Sequence, residues 1–201
     1  WLLDPGDIKI KKTTAGDGAA EVVGSGYTGS NTDSVISVDS VNAALDKGGE
    51  VTIATDNTAN DASITVEDAI TKTTAADSTL TLQASGSVNV GKDISSSSGK
   101  LNVNIVSDTN STAGGRVDIA DGVTIATKGG DFSIRGGLND QYANSMDASH
   151  AGVQLGAATI TTEGGNIAIA GSTSTQNDGV KIAGTTLDAG NGSVQITGKS
   201  D

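Results

Sequence analysis

Cysteine is absent from the 201 residues, which excludes disulfides and thiolate metal sites without deciding the compartment. Proline occurs once, at Pro5, and only Trp1, Tyr27, Phe132 and Tyr142 are aromatic. A wide globular core leans on large side chains, so this poverty argues against one. Basic residues are scarce, 12 against 24 acidic, and the net charge of −12 repels phosphate backbones and anionic membrane surfaces. A nucleic-acid partner is therefore not expected. No apolar run approaches the length of a spanning helix, so membrane insertion is not expected either. Disorder is disfavoured in turn, because charged residues make up only 18% of the chain and the apolar ones alternate. What abounds is small and polar: 28 Gly, and 47 Ser and Thr together. The first residue is Trp rather than Met, and the chain reads as an excerpt or processed piece, so the lack of a signal peptide excludes nothing.

Internal repetition organises the rest. Residues 153–169 match residues 180–196 over seventeen positions at an offset of 27, without a gap. Each copy reads apolar-x-apolar, a small-residue corner, an apolar residue, a Gly-containing corner, then apolar-x-apolar again. Earlier copies share a spacing of seven: Ile94 to Leu101, Ile125 to Phe132, Ile160 to Ile167 and Leu187 to Val194. Gly99, Gly130, Gly165 and Gly192 stand just before the second members, and are expected to form corners that need positive φ. Alternation with period two buries one face of each short piece. Such pieces stack on their equivalents one repeat later, which makes parallel sheets and a solenoid. Crossovers between parallel strands are right-handed, so the expected fold is all-β, a right-handed parallel β-helix. A tube that narrow takes Val, Ile, Leu and Ala inside, and this explains the missing aromatics.

The variable segments fall at one point of the repeat. Five residues separate Leu82 from Val88, eleven Ile105 from Val117, eighteen Ile134 from Val153 and ten Ile169 from Val180. They are expected to emerge along one edge, while the other two corners keep nearly constant length. Edge insertions are where repeat proteins usually carry recognition. The chain is read as a single β-helix segment over 1–201. Residues 1–50 form an irregular start, with a loop over 11–34 and a short helix near 39–47, and stacked coils fill 51–201. Asp39 or Ser37 is the expected N-cap of that helix, and Gly48 or Gly49 its stop.

The opening Trp1-Leu2-Leu3-Asp4-Pro5-Gly6-Asp7-Ile8-Lys9-Ile10 resembles the W-L-hydrophobic-D-P-x-x-[IV]-x-I segment of two-partner-secretion exoproteins. These include the filamentous haemagglutinin-like and high-molecular-weight adhesins. In that family the segment closes a secretion domain and is followed by a polar stretch, a short helix, a V-T-I strand and glycine-cornered coils. Residues 11–34, residues 39–47 and Val51-Thr52-Ile53 stand in those places. The resemblance implies a fibre that is secreted or exposed at the surface of a Gram-negative bacterium and attaches to a glycan or protein receptor. It also implies an outer-membrane transporter, engaged through the upstream secretion domain, of which this sequence holds only the last piece.

Chemistry is sparsely signalled. The only histidine, His150, lies in the longest insert, Arg135–Gly152, with Asp140, Tyr142, Met146 and Asp147. Asp140, Tyr142, Asp147 and His150 are the candidate ligand-contact residues, with Tyr142 as a flat apolar platform and the carboxylates as acceptors. The bland alternative is a polar surface loop covering the end of a coil. One histidine beside scattered serines does not make a nucleophilic triad. Parallel β-helices also host lyases and hydrolases, but alternation sends Glu67 and Asp68 to opposite faces, and Asp118 faces solvent between Val117 and Ile119. The calcium-loading Gly-Gly-x-Gly-x-Asp repeat and the EF-hand spacing are both missing. The expectation is therefore no enzyme, no cofactor and no metal. A carbohydrate-active β-helix and a ligand-free matrix filament are the alternatives to the adhesin.

Overall fold

The computed structural model describes residues 6–13, 34–55, 61–111, 114–137, 142–147 and 149–200. Most of the expected loop over 11–34 lies outside them, as does Asp140. Strand β1 (Ile8–Lys11) and strand β2 (Ser34–Ser37) precede helix α1 (Val38–Asp46) and strand β3 (Gly49–Ala54). Three-strand coils follow. The first holds β4 (Ile64–Val66), β5 (Ile70–Lys72) and β6 (Ser78–Gln83); the second, β7 (Val88–Val90), β8 (Ile94–Ser96) and β9 (Leu101–Ser107). The third has β10 (Val117–Ile119), β11 (Thr124–Ala126) and β12 (Phe132–Gly136), with β13 (Ala143–Ser145) in the insert after it. The last two comprise β14 (Val153–Leu155), β15 (Thr159–Thr161) and β16 (Ile167–Thr173), then β17 (Val180–Ile182), β18 (Thr186–Asp188) and β19 (Val194–Ser200).

The strands pair in parallel as three sheets, the first of β1, β2, β4, β7, β10, β14 and β17, the second of β5, β8, β11, β15 and β18, and the third of β3, β6, β9, β12, β13, β16 and β19, which makes the chain a parallel β-helix with one short helix. The 27-residue offset is the stacking register itself: Val153 pairs with Val180, Ile160 with Leu187 and Ile167 with Val194. Residues 1–50, set apart in sequence as an irregular start, contain strands of the same stack. Ile8 pairs with Ile64 and Ile10 with Val66, while β2 lies on the other side of β1. Inward residues form continuous apolar columns, such as Leu80–Val103–Phe132–Ile167–Val194. Phe132 and Ile167 have no exposed surface, and burying a side chain of that size contributes about 1.5–3 kcal/mol. Val194 differs: in the last coil it is 46% exposed, because no described coil stacks beyond it.

One spacing misleads. Seven residues separate both Ile94 from Leu101 and Ile125 from Phe132, yet Phe132 pairs with Val103, two residues past Leu101. Leu101 instead extends β9 backwards to pair with Ser78. Apolar columns must stay continuous, so the corner absorbs the difference and equal spacing there is coincidental.

The glycine column also has a different cause from the expected one. Gly99 has φ of 67°, but Gly130, Gly165 and Gly192 do not lie at positive φ. The left-handed residues are those just before them, Lys128 and Gly129 (55° and 91°) and Glu163 and Gly164 (52° and 114°). Gly130, Gly165 and Gly192 are required by close approach. A Cβ on Gly192 would strike the carbonyl of Gly165, and one on Gly165 the carbonyl of Gly130. Beside them the hydroxyls of Thr127 and Thr162 donate to the carbonyls of Gly130 and Gly165, and so close the buried corner. In an earlier coil fully buried Lys72 does the same, its Nζ donating to the Thr74 carbonyl at 2.6 Å and to that of Ser98.

Helix α1 ends the second sheet. Val38, Val41 and Leu45 are buried, and Gly48 at φ 81° stops the helix, its N–H donating to the Leu45 carbonyl at 3.0 Å. Ser37 stands at the N-cap without a side-chain capping bond, and Asp39 sits in the first turn. Asn42 and Asp46, one turn apart, accept the Thr71 and Thr73 N–H groups at 2.9 and 2.6 Å. Alternate N–H groups of a parallel edge strand point outward, so two acceptors at i, i+4 substitute for a missing strand. Among the described residues no helix is long and apolar enough to cross a membrane.

Candidate functional site

The four inserts all connect the third sheet to the first, so they share one edge as their spacing implies. They are tied to one another there. The Asp108 N–H donates to the Gly86 carbonyl at 3.0 Å, joining the first insert to the second. Gly115 and Asn144 form an antiparallel bridge, with N–H to carbonyl distances of 2.7 and 3.1 Å, joining the second to the third. Within the third insert, β13 re-enters the third sheet, and Ala143 pairs with Gly171 of β16. Gly136 makes that return feasible, because a Cβ there would run into the carbonyl of Tyr142.

The predicted contact residues separate. Asp147 and His150 come together, with His150 Nδ1 2.7 Å from Asp147 Oδ2 and the Ser149 N–H donating to Asp147 Oδ1 at 2.8 Å. The Ser149 amide, followed by the His150 ring, holds the Asp147 carboxyl below its ordinary range. The Ser145 hydroxyl, near in sequence, donates to the Asp147 carbonyl at 3.3 Å rather than to the histidine. These bonds close a surface turn. Tyr142 lies elsewhere, on the outer face of the third sheet beside Arg135.

Shallow grooves among the described residues follow from this arrangement. One, of about 340 Å³, lies on the insert edge, with Ser87, Arg116, Asn144, Met146 and Asp147 in its lining; Met146 is 55% exposed. A second, of about 320 Å³, crosses the outer face of the first sheet past Thr65, Asn89, Asp118, Gln154 and His150. The third, of about 400 Å³, covers the outer face of the third sheet around Tyr142.

Of the carboxylates weighed in sequence for acid–base work, Asp68 and Asp118 accept hydrogen bonds. Asp118 Oδ2 accepts from Arg116 Nε, two residues away in the same coil, at 2.6 Å, and Asp68 Oδ2 accepts the Lys12 N–H of the neighbouring coil at 2.6 Å; Asp121, just past β10, likewise accepts the Ala157 N–H of the next coil on Oδ1 at 2.8 Å. A ladder of this kind climbs the third sheet: Asn102 Oδ1 accepts the Asp131 N–H, Asp131 Oδ1 the Asn166 N–H, and Asn166 Oδ1 the Ser193 N–H, at 3.0, 2.7 and 3.0 Å. Much of the acidic and Asn/Ser content is thus coil-to-coil hydrogen bonding. Among the described residues no three His, Asp or Glu side chains converge as a metal site. Sequence reasoning missed Arg135, Gln195 and the alanines between them, because their proximity depends on stacking register.

The fold defines a class, the parallel β-helix with inserts gathered on one edge. Compared with known proteins, the chain matches no family model, no curated protein and no solved structure.

Proposed function

We propose that the chain is a segment of a large bacterial adhesin, a stiff β-helical fibre that presents edge inserts to a glycan or protein receptor. The observation that carries this reading is the gathering of all four inserts on one edge, cross-tied through Gly86–Asp108, Gly115–Asn144 and Ala143–Gly171. Cross-tied loops keep their shape, and a preorganised surface loses less freedom on binding. The opening Trp1-to-Ile10 segment supports the two-partner-secretion kinship, with secretion to the surface of a Gram-negative bacterium. Ile8 and Ile10 of that segment are fully buried in the first coil column.

Attachment of beads coated with the chain to epithelial or bacterial cells tests the reading. Replacing residues 138–151 with a short Gly-Ser linker is expected to abolish attachment while the circular dichroism of the β-helix is retained. Attachment that survives removal of every insert, or is absent from all surfaces tried, overturns it.

A further inference from the structure

The outer face of the third sheet carries a groove whose register no linear pattern displays. Ser133, Ala168 and Gln195 occupy one row across β12, β16 and β19, and Ala170 pairs with Thr197 in the next. The middle strand therefore contributes only methyl groups, between taller side chains on both flanks. Parallel strands lie about 4.8 Å apart, so the floor between the flanking strands is about 10 Å wide. Arg135 stands on the β12 side, one residue past the last β12–β16 pair, Ile134 with Ile169. Tyr142 stands where β13 enters it, one residue before the Ala143–Gly171 pair. Arg135, Tyr142, Gln195 and Thr197 line the groove with the two alanines, and its volume of about 400 Å³ lies in the range of small-ligand sites.

The electrostatics select the ligand. The chain has a net charge of −12, yet this lining contains no Asp or Glu and a single charge, Arg135. Among the described residues no carboxylate pairs with that guanidinium, although Arg116 and Lys128 each have one. A guanidinium without a carboxylate partner among the described residues, beside an aromatic ring and facing amide and hydroxyl groups across a flat methyl floor, suits a carboxylated sugar. The guanidinium takes the carboxylate in a bidentate pair, the tyrosine ring covers the C–H face of the pyranose, and Gln195, Thr197 and Ser133 bond its hydroxyls. We propose that this groove binds uronic-acid saccharides. The proposal deepens the display reading, on which it rests, by moving a glycan contact from the edge loops to the sheet face.

The test is calorimetric titration of the chain with tetragalacturonate and with its fully methyl-esterified form, which is neutral and nearly the same size. The acid is expected to bind at least tenfold more tightly than the ester, and more weakly as salt rises. Arg135→Gln should weaken the acid at least tenfold and bring acid and ester level. Ala168→Phe, which fills the exposed floor, should abolish both, and Tyr142→Ala should weaken both. Equal affinity for acid and ester, acid binding unmoved by Arg135→Gln or by Ala168→Phe, or no binding at millimolar probe overturns the proposal. If the beads still attach to cells in that last case, the groove fails and the display reading stands. If the acid binds while the beads attach to nothing, the display reading fails and the groove stands.

Discussion

Asn42 of the helix and Thr71 of the second sheet exchange two hydrogen bonds. Asn42 Oδ1 accepts the Thr71 N–H at 2.9 Å, and Asn42 Nδ2 donates to Thr71 Oγ1 at 3.2 Å. A solenoid whose sheet simply ended at β5 would present bare N–H groups to any passing strand. The helix removes that hazard on one side. Asn42→Ala is expected to lower stability by about 0.5–1.5 kcal/mol, since an edge donor at the surface exchanges its partner for water. Urea unfolding checks this, and an unchanged midpoint would show that water replaces the amide at no cost.

Asp46 makes the same tie ionisable. Chiefly the Thr73 N–H, with help from the Thr73 hydroxyl and the Thr74 N–H, holds its carboxyl below the ordinary carboxylate range. A carboxylate with a depressed folded pKa stabilises fully above its unfolded value, about 3.9, and loses that contribution as pH falls through the lower folded value. The urea midpoint is expected to drop in that acid window, and Asp46→Asn should flatten this part of the decline. A variant with the same acid profile as the parent would contradict the assignment.

Gly165 and Gly122 are both corner glycines, but their demands are opposite. Gly122 has φ of 76° and open space where a Cβ would go, whereas Gly165 lies against the carbonyl of Gly130. Gly165→Ala is expected to cost about 1–3 kcal/mol by overpacking. Gly122→Asn, in a conformation that asparagine adopts, should cost little. Thermal melting of the two variants decides the matter, and a loss at Gly165 no greater than at Gly122 would mean that the Gly130 carbonyl gives way to an added methyl group.

Position along the solenoid should grade the cost of core truncation. Ile167 is fully buried between Phe132 and Val194, and Ile167→Ala is expected to cost about 2–5 kcal/mol. Val194, equivalent in sequence, is 46% exposed, so Val194→Ala should cost far less. Comparable losses would show that the last coil is covered in solution.

Lys72 is a buried cation whose partners are main-chain carbonyls. Lys72→Ala leaves the Thr74 and Ser98 carbonyls without their donor and is expected to cost about 1–3 kcal/mol. If the melting temperature is unchanged, the corner re-forms without it.

By itself the sequence determined the fold class, the stacking register of the last two coils and the edge on which the inserts gather. All three follow from local alternation and repeat length, which apolar burial enforces coil by coil. The helix near 39–47 was legible for the same reason, from the period of Val41, Ala44 and Leu45. What only the tertiary structure decided are relations between coils. Phe132 chose Val103 over Leu101 because inward columns must be continuous, a constraint invisible within one coil. Gly165 is glycine because another coil's carbonyl occupies the place of its Cβ, and no local torsion announces that. The candidate residues of one insert divided between two faces, Asp147 with His150 and Tyr142 with Arg135, because the insert wraps the edge before it returns. Lateral neighbours in a solenoid lie a whole repeat apart in sequence, so the grooves they build become visible only once the coils are stacked.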